Sequence, residues 1–366
     1  MWNATAISKR LGIEYPIIQG PFGGGGSSVD LVAAVSNAGG LDSFGLQTVE
    51  ANEIGTIIGR IRKATERPFS VNLWVSTPGS IPEVDDVVMA GKIQAMLASH
   101  FENLGLEVPP LPERFAPDFG EQMEATLEAR PPAVSFVYGV PPDWVLEQCR
   151  SRGITIMGTA TTVQEAKALE LADVDCIIAS SSEAGGHRGS FIKSAEDSLS
   201  GAMSLIPQVV DNVRLPVVAA GGIVDARGIA AAFALGAQGV QIGTAFLACD
   251  ESNASDPHRK ALFSAHAENT KLSRAISGRL ARNIQSDFID EIHLTGSSIP
   301  PYPVEAWFVK QLQAAALKQK RYEYLSFSAG QTTSLIRHKK ASELMDELVR
   351  ETPRLLERMF RGSAAV

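Results

Sequence analysis

Eight short apolar runs alternate with helix-forming segments along most of this chain, and that alternation restricts the fold more than any other feature. The runs are Pro16–Gly20, Leu41–Gly45, Phe69–Val75, Ala133–Tyr138, Ile154–Met157, Val174–Ala179, Leu215–Ala220 and Gly239–Gly243. Short buried strands separated by helices imply a parallel sheet. Right-handed crossovers then allow a closed (β/α)8 barrel or an open doubly wound sheet. The count of eight and the absence of an early GxGxxG unit favour the barrel. The expected class is therefore α/β, a (β/α)8 TIM barrel.

Local signals set the helix ends. Ser27 or Ser28 can cap the helix through Leu31–Ala38, and Thr161 or Thr162 the helix over 163–172. Pro142 opens a helix that runs to Ser151. The rhythm breaks twice, at 77–130 and at 253–328, and both stretches exceed an ordinary connection. They are expected to form a second, smaller, mainly helical domain, a lid or substrate domain. The barrel would then comprise 1–76, 131–252 and 329–366. Seven helices separate the eight strands, so the closing helix must come from 329–350, where Ala341–Val349 is the clearest segment.

Composition excludes several classes. The 366 residues carry a net charge of −8 with a pI near 5.4, which argues against nucleic acid or an anionic membrane as partner. No apolar run reaches the roughly 18 residues of a membrane span. The N-terminus lacks a charged-then-apolar signal pattern, so a cytoplasmic location is expected. Cys149, Cys176 and Cys249 are odd in number and scattered, with neither a disulfide framework nor metal-ligand spacing. No metal site is expected, and a homodimer is left open.

In such a barrel, ligand-binding groups gather at the C-terminal ends of the strands. Here those ends carry Gly20-Pro21-Phe22, Asn72, Ser180, Gly185 to His187, Gly221-Gly222, and Gln241 to Thr244. Gly221-Gly222 and Gly243-Thr244 end the seventh and eighth strands. Backbone N–H groups, a hydroxyl and a helix N-terminus there suit a phosphate-bearing ligand, whereas the bland alternative is two tight turns. Within Ser180–Ser190, paired glycines precede His187, whose side chain suits proton transfer near neutral pH. Glu183 either orients His187, is solvated or caps a helix. Arg188 either binds an anion or is exposed. The other histidines and the tryptophans read as structural or packing residues. No Ser/His/Asp order, P-loop or HExxH pattern appears.

These motifs resemble those of the FMN-dependent nitronate monooxygenases, also called 2-nitropropane dioxygenases. The resemblance covers most of the chain. It is carried by Ser182-Glu-Ala-Gly-Gly-His-Arg-Gly-Ser-Phe191, Val218-Ala-Ala-Gly-Gly-Ile223, Gln241-Ile-Gly-Thr-Ala-Phe-Leu247, Ser277-Gly-Arg-Leu-Ala-Arg282 and Ala329-Gly-Gln331. It implies an FMN at the barrel mouth, contacted by Asn72, Ser180, Gly185, Gly221, Gly222, Gln241, Ile242, Gly243 and Thr244. Gly20, Pro21 and Phe22 would lie by the flavin ring, and His187 would be the catalytic base. The implied reaction is oxidation of nitronates and nitroalkanes by O2 to a carbonyl compound and nitrite. The alternative on the same barrel is an FMN-dependent NAD(P)H oxidoreductase acting on a quinone or enoyl thioester. A non-catalytic phosphate-ligand binding protein is the reading from a different class. Three positions depart from the family pattern: Ser180 stands for a glutamine, Phe22 for a methionine and Leu280 for a proline.

Overall fold

A computed structural model describes residues 1–76, 86–294 and 299–361. Expectations for 77–85, 295–298 and 362–366 lie outside the described residues. The barrel strands are β1 (Ile17–Gln19), β2 (Leu41–Gly45), β3 (Ser70–Trp74), β4 (Ala133–Val137), β5 (Thr155–Ala160), β6 (Cys176–Ser180), β7 (Val217–Ala220) and β8 (Gly239–Ile242). Each pairs in parallel with the next. β8 returns to β1 with Ile18 opposite Gln241, which closes the barrel. The eight apolar runs thus form the (β/α)8 architecture they imply. β5 extends three residues beyond the apolar run. Its Gly158 is not a turn: a Cβ there would lie 2.5 Å from Leu169 Cδ2, so the strand admits the helix by omitting a side chain.

Side chains alternate across each strand. Ile18, Leu41, Ala133, Met157, Cys176, Ile178, Val218 and Ala220 point inward and form one cluster with Ile7, Leu11 and Ile13. Ile7 and Leu11 belong to an N-terminal helix, Ala6–Leu11, that packs on the inner cluster, and Ile13 follows that helix. Thr5 caps it and Gly12 ends it at φ 66°. The residues between, such as Val71, Leu73, Val134, Phe136, Ile177 and Ala179, point outward against Ile54, Ile58, Leu146, Leu169 and Val209 of the surrounding helices. Burial of each such Val, Leu, Ile or Phe contributes roughly 1.5–3 kcal/mol. Of the paired cap candidates, Ser28 accepts from Leu31 N at 3.0 Å and Thr162 from Glu165 N at 3.2 Å. The closing helix is Ala341–Arg361, and its Leu344, Met345 and Leu348 pack beside Val240 and Ile242.

Parts of the two insertions share a core. Met89, Ile93, Leu97 and Phe101 of helix Asp86–Asn103 cluster with Phe288, Ile292, Phe308 and Leu312. Helix Phe119–Ala129 behaves differently. Its Phe119, Met123 and Leu127, spaced four apart, face Ile54 and Ile58 in the barrel's outer layer. Grouping all of 77–130 with the lid therefore does not describe its packing. An unanticipated three-stranded antiparallel sheet joins Thr270–Ser273, Ala281–Ile284 and Gly186–His187. It ties the histidine loop to the second insertion.

That loop is also anchored from within the barrel layer. The fully buried Glu165 carboxylate accepts from Thr161 N (2.6 Å), Thr161 Oγ1 (2.7 Å), Phe191 N (2.7 Å) and Ile192 N (3.2 Å). Replacing it by alanine leaves buried donors unpaired, at ~1–3 kcal/mol each before relaxation. Glu165→Ala should lower the unfolding free energy by ~3 kcal/mol in urea titration, and Glu165→Gln by less. An unchanged midpoint for the alanine variant would contradict this anchoring role.

Candidate active site

β6 ends at Ser180, and the next long helix, Ala202–Asn212, starts only at Ala202. The loop between them needs its own scaffold, and Arg188 supplies part of it. Arg188 is 1% exposed. Its guanidinium donates to the carbonyls of Ser180 (2.8 Å), Ser181 and Ser198. It has no ion pair among the described residues. Burial, and then the nearby Arg282 charge, push its pKa down to about 10. Arg188 is thus neither surface-exposed nor in contact with the cavity; it clamps carbonyls. Glu183 does not reach His187: its carboxylate accepts from Ala202 N at 3.0 Å and caps the following helix.

The glycines of the loop have separate reasons. A Cβ on Gly185 would sit 2.6 Å from Ala329 C and Gly330 N, so glycine permits the close approach of 329–330. Gly186 has φ 73° with open space around it, so its requirement is conformational. His187 then pairs with Ala281 in the small sheet. Its Nε2 lies 2.7 Å from Ser277 Oγ, and its ring makes a T-shaped contact with Trp74 at 4.9 Å between centroids. Burial, reinforced by the Arg279 charge, lowers its pKa to about 4. At neutral pH the imidazole is uncharged and able to accept a proton.

An aromatic wall stands beside it. Trp74 contacts Tyr138 at 4.9 Å and Tyr302 at 5.3 Å between ring centroids. Tyr138 adopts φ 73°, uncommon for a bulky residue. Burial pushes its pKa up to about 12 although Arg279 opposes the shift.

These groups line one cavity of about 690 Å³ at the mouth of the barrel. Gly20, Pro21, Phe22, Asn72, Ser180, Gly185, His187, Gly221, Gly222, Gln241, Gly243 and Thr244 all line it. Ile242 does not. It points outward with Val240 into the packed helices, since alternation turns Gln241 inward and its neighbour Ile242 to the other side. The turn after β7 is built by Gly221 at φ 98° and Gly222 at φ 73°, and a Cβ on Gly221 would stand 2.4 Å from Ser181 Oγ. Thr244 Oγ1 accepts from Gly330 N at 3.0 Å, and its own O–H is a donor. Gln241 Oε1 is buried without a partner. Ser27 Oγ holds Phe22 by accepting from Phe22 N at 3.4 Å and donating to Phe22 O at 3.2 Å. Asn72 Nδ2 donates to Ser135 O and Oγ at 3.1 and 2.8 Å.

The profile of the family described as nitronate monooxygenase matches residues 4–351. The chain belongs to the nitronate monooxygenase family. Curated relatives agree in length as well as sequence. A probable nitronate monooxygenase of Staphylococcus saprophyticus is 36% identical over 360 residues, spanning 97% of this chain and 99% of the relative. One from Staphylococcus haemolyticus is 37% identical over 358 residues, at 97% and 99% coverage. Among solved structures, nitroalkane oxidase from Streptomyces ansochromogenes superposes with a TM-score of 0.87 at 34% identity, covering 97% of this chain and all of that one. FabK from Thermotoga maritima superposes at 0.73 and 26% identity, with 98% and 99% coverage. As a member of this family the chain is an oxidoreductase, and the family is flavin-dependent. Among the described residues no helix is long and apolar enough to cross a membrane.

Several cavity residues were not anticipated. Trp74, Ser135 and Tyr138 stand at or near strand ends, and the inward parity of Asn72 already assigns Trp74 to the same side. Ser277 and Tyr302 come from the second insertion, where no periodicity marks them. The clamp itself can be tested. Truncating Arg188 to leucine removes its donors from the carbonyls of Ser180 and Ser198 and leaves Ser181 O only the Ala184 N–H at 3.2 Å, so Arg188→Leu should cost ~3 kcal/mol in guanidinium denaturation, with Arg188→Lys showing part of the loss. Equal stability of Arg188→Leu and the parent would refute the clamp.

Proposed function

We propose that this protein oxidises nitronates with O2, and nitroalkanes after removal of their α-proton, to a carbonyl compound and nitrite, with FMN held at the barrel mouth. The observation that carries this reading is a neutral, Ser277-held His187 in the same cavity as two glycine-built, donor-rich turns. The residues fit the cofactor. Gly221-Gly222 and Gly243-Thr244 would hold the phosphate through backbone N–H groups and the Thr244 hydroxyl. The orphaned Gln241 Oε1 and Asn72 are polar groups suited to the ring system, with Gly20 to Phe22 and Ser180 alongside. A bound flavin supplies electron transfer between the carbanionic substrate and O2.

The chain's own residues do the rest. For a nitroalkane, the free nitrogen pair of His187 takes the α-proton, and Ser277 fixes the ring while that happens. A preformed nitronate bypasses this step. The aromatic wall of Trp74, Tyr138 and Tyr302 limits water around the reacting carbon. Helix Val304–Gln319 contributes Ala306 and Val309 to the same enclosure. We propose that the insertions holding this helix act as the substrate-side lid.

His187→Asn should reduce kcat/KM for 2-nitropropane by on the order of a hundredfold or more, the usual reach of general-base catalysis, while sparing propane-2-nitronate. Equal loss on both substrates would remove the base role. The pH profile gives an independent check. A His pKa lowered to about 4 keeps the base form as pH falls through the ordinary histidine range. Its acid limb on a nitroalkane should therefore lie near pH 4–5 rather than near 6.5. The same shift makes the folded state lose stability as pH falls from about 6.5 toward 4, because only the unfolded chain protonates there.

The reductase alternative is separated by anaerobic mixing of FMN-loaded protein with propane-2-nitronate, NADH and NADPH in turn, following oxidised-flavin absorbance. Rapid loss with the nitronate alone is expected. Rapid bleaching by a nicotinamide alone would move the assignment to an NAD(P)H-dependent oxidoreductase.

A further inference from the structure

Arg279 has an unusual environment for a charged side chain. Its guanidinium carbon lies 3.8 Å from the Tyr138 ring centroid, 4.2 Å from that of Tyr302 and 5.3 Å from that of Trp74. Its Nη1 is buried and has no hydrogen-bond partner. It forms no ion pair among the described residues. The rings attract the cation through their quadrupoles but do not neutralise it.

The neighbourhood adds to the imbalance. Arg188 and Arg282 flank the same histidine loop, and neither has an ion pair among the described residues; both donate mainly to backbone carbonyls. The carboxylates that oppose them, Glu165 and Glu183, are already engaged by backbone N–H groups. A chain of net charge −8 thus concentrates unpaired positive charge behind one wall of its cavity. Trp74, Tyr138, Tyr302 and His187 line that cavity, whereas Arg279 stands behind the rings. The same segment supplies Ser277, which holds His187 Nε2 at 2.7 Å.

We propose that Arg279 is the charge-selecting and positioning residue of this site, so that the ligand seated against Trp74, Tyr138, Tyr302 and His187 binds as an anion. Arg279 acts through the rings in two ways. It clasps Tyr138 after β4 to Tyr302 of the second insertion, fixing the width of the wall. Its charge also reaches the cavity across the rings, which exclude the water that would screen it. At an effective dielectric of ~20, a unit charge about two stacking distances (~7 Å) from a bound anion changes its affinity by at most roughly fiftyfold, and residual screening brings this toward about tenfold. The inference rests on the functional reading above for the identity of the anion, but not for its charge.

Isobutyrate and isobutyramide test it. Both share the outline of 2-nitropropane, and only the first is charged. Their binding to FMN-loaded protein is followed by ligand-observed NMR titration, without turnover. The parent protein should prefer isobutyrate by about tenfold or more, and Arg279→Met should shrink that ratio to within about threefold. Arg279→Lys should keep a preference for the anion while weakening both ligands, because the charge remains and the planar clasp does not. In turnover, Arg279→Met should raise KM for propane-2-nitronate by a larger factor than it lowers kcat.

A parent protein without preference for isobutyrate would overturn the proposal. So would a folded Arg279→Met that keeps the parental ratio. If Arg279→Met does not fold, the parental ratio and Arg279→Lys still decide, since loss of anion preference in a folded lysine variant contradicts charge selection. A protein that fails to oxidise nitronates yet shows the Arg279-dependent preference would sink the functional reading alone. A nitronate oxidase whose ratio ignores Arg279 would sink this inference alone.

Discussion

Closure of the eight-stranded barrel fixes the direction of every strand side chain. With β8 returned to β1 in parallel, no strand can slip by one residue without driving its outward Val, Ile or Phe into the interior. Core and site therefore share a single constraint. Cys176 and Ile178 fill the inside of the barrel, and the next inward residue, Ser180, meets the cavity. Ala133 is core, whereas Ser135 and Val137 further along the same face are cavity wall. The outward set packs the helices that keep the barrel shut.

The barrel cannot hold the histidine by itself. His187 stands beyond β6, in a loop that the barrel's own strand pairing does not reach, so its position depends on elements brought from elsewhere. Arg188 ties the loop back to the end of β6, Glu165 ties its far side to the helix after β5, and residues 281–282 pair with it from the second insertion. The choice of guanidinium and carboxylate follows from what must be bound. Loop carbonyls call for a many-donor cation, and loop N–H groups call for an anion. The polar cost of an irregular buried segment is met by charged hydrogen bonds in place of a regular ladder.

This division explains how much could be read before folding. The strands, the barrel and the glycine turns after β7 and β8 were legible because they are local: an apolar run, a parity, a Gly-Gly. Parity, pursued one residue further, also separates Gln241 from Ile242 and joins Trp74 to Asn72. A contiguous motif carried over whole, such as 241–244, ignores it. Ser277 and Arg279 were not legible as neighbours of His187, nor Tyr302 as a neighbour of Trp74. Ser277 and Arg279 lie 90 or more positions from His187 and are brought to it by a sheet of two- and four-residue strands that has no periodic signature. Helix Phe119–Ala129 was placed with the lid because its sequence neighbours are, although its apolar stripe is one that only the barrel's outer layer accommodates.

On the proposed reading, the electrostatics of the site favour one form of substrate. Burial and Arg279 keep His187 neutral, but they do so by making it a weaker base. For a nitroalkane, Arg279 then has opposed effects, since it lowers the driving force for proton removal and stabilises the nitronate that results. For a preformed nitronate only the second effect acts, because no proton has to move. A stronger base could have been obtained by placing a carboxylate beside the imidazole, which is the common way to raise a histidine pKa. Here the imidazole partner is instead the neutral Ser277 hydroxyl, and the nearby Glu183 is turned away to cap a helix. That choice sacrifices proton affinity and preserves the positive field, an arrangement suited to a ligand that arrives already charged.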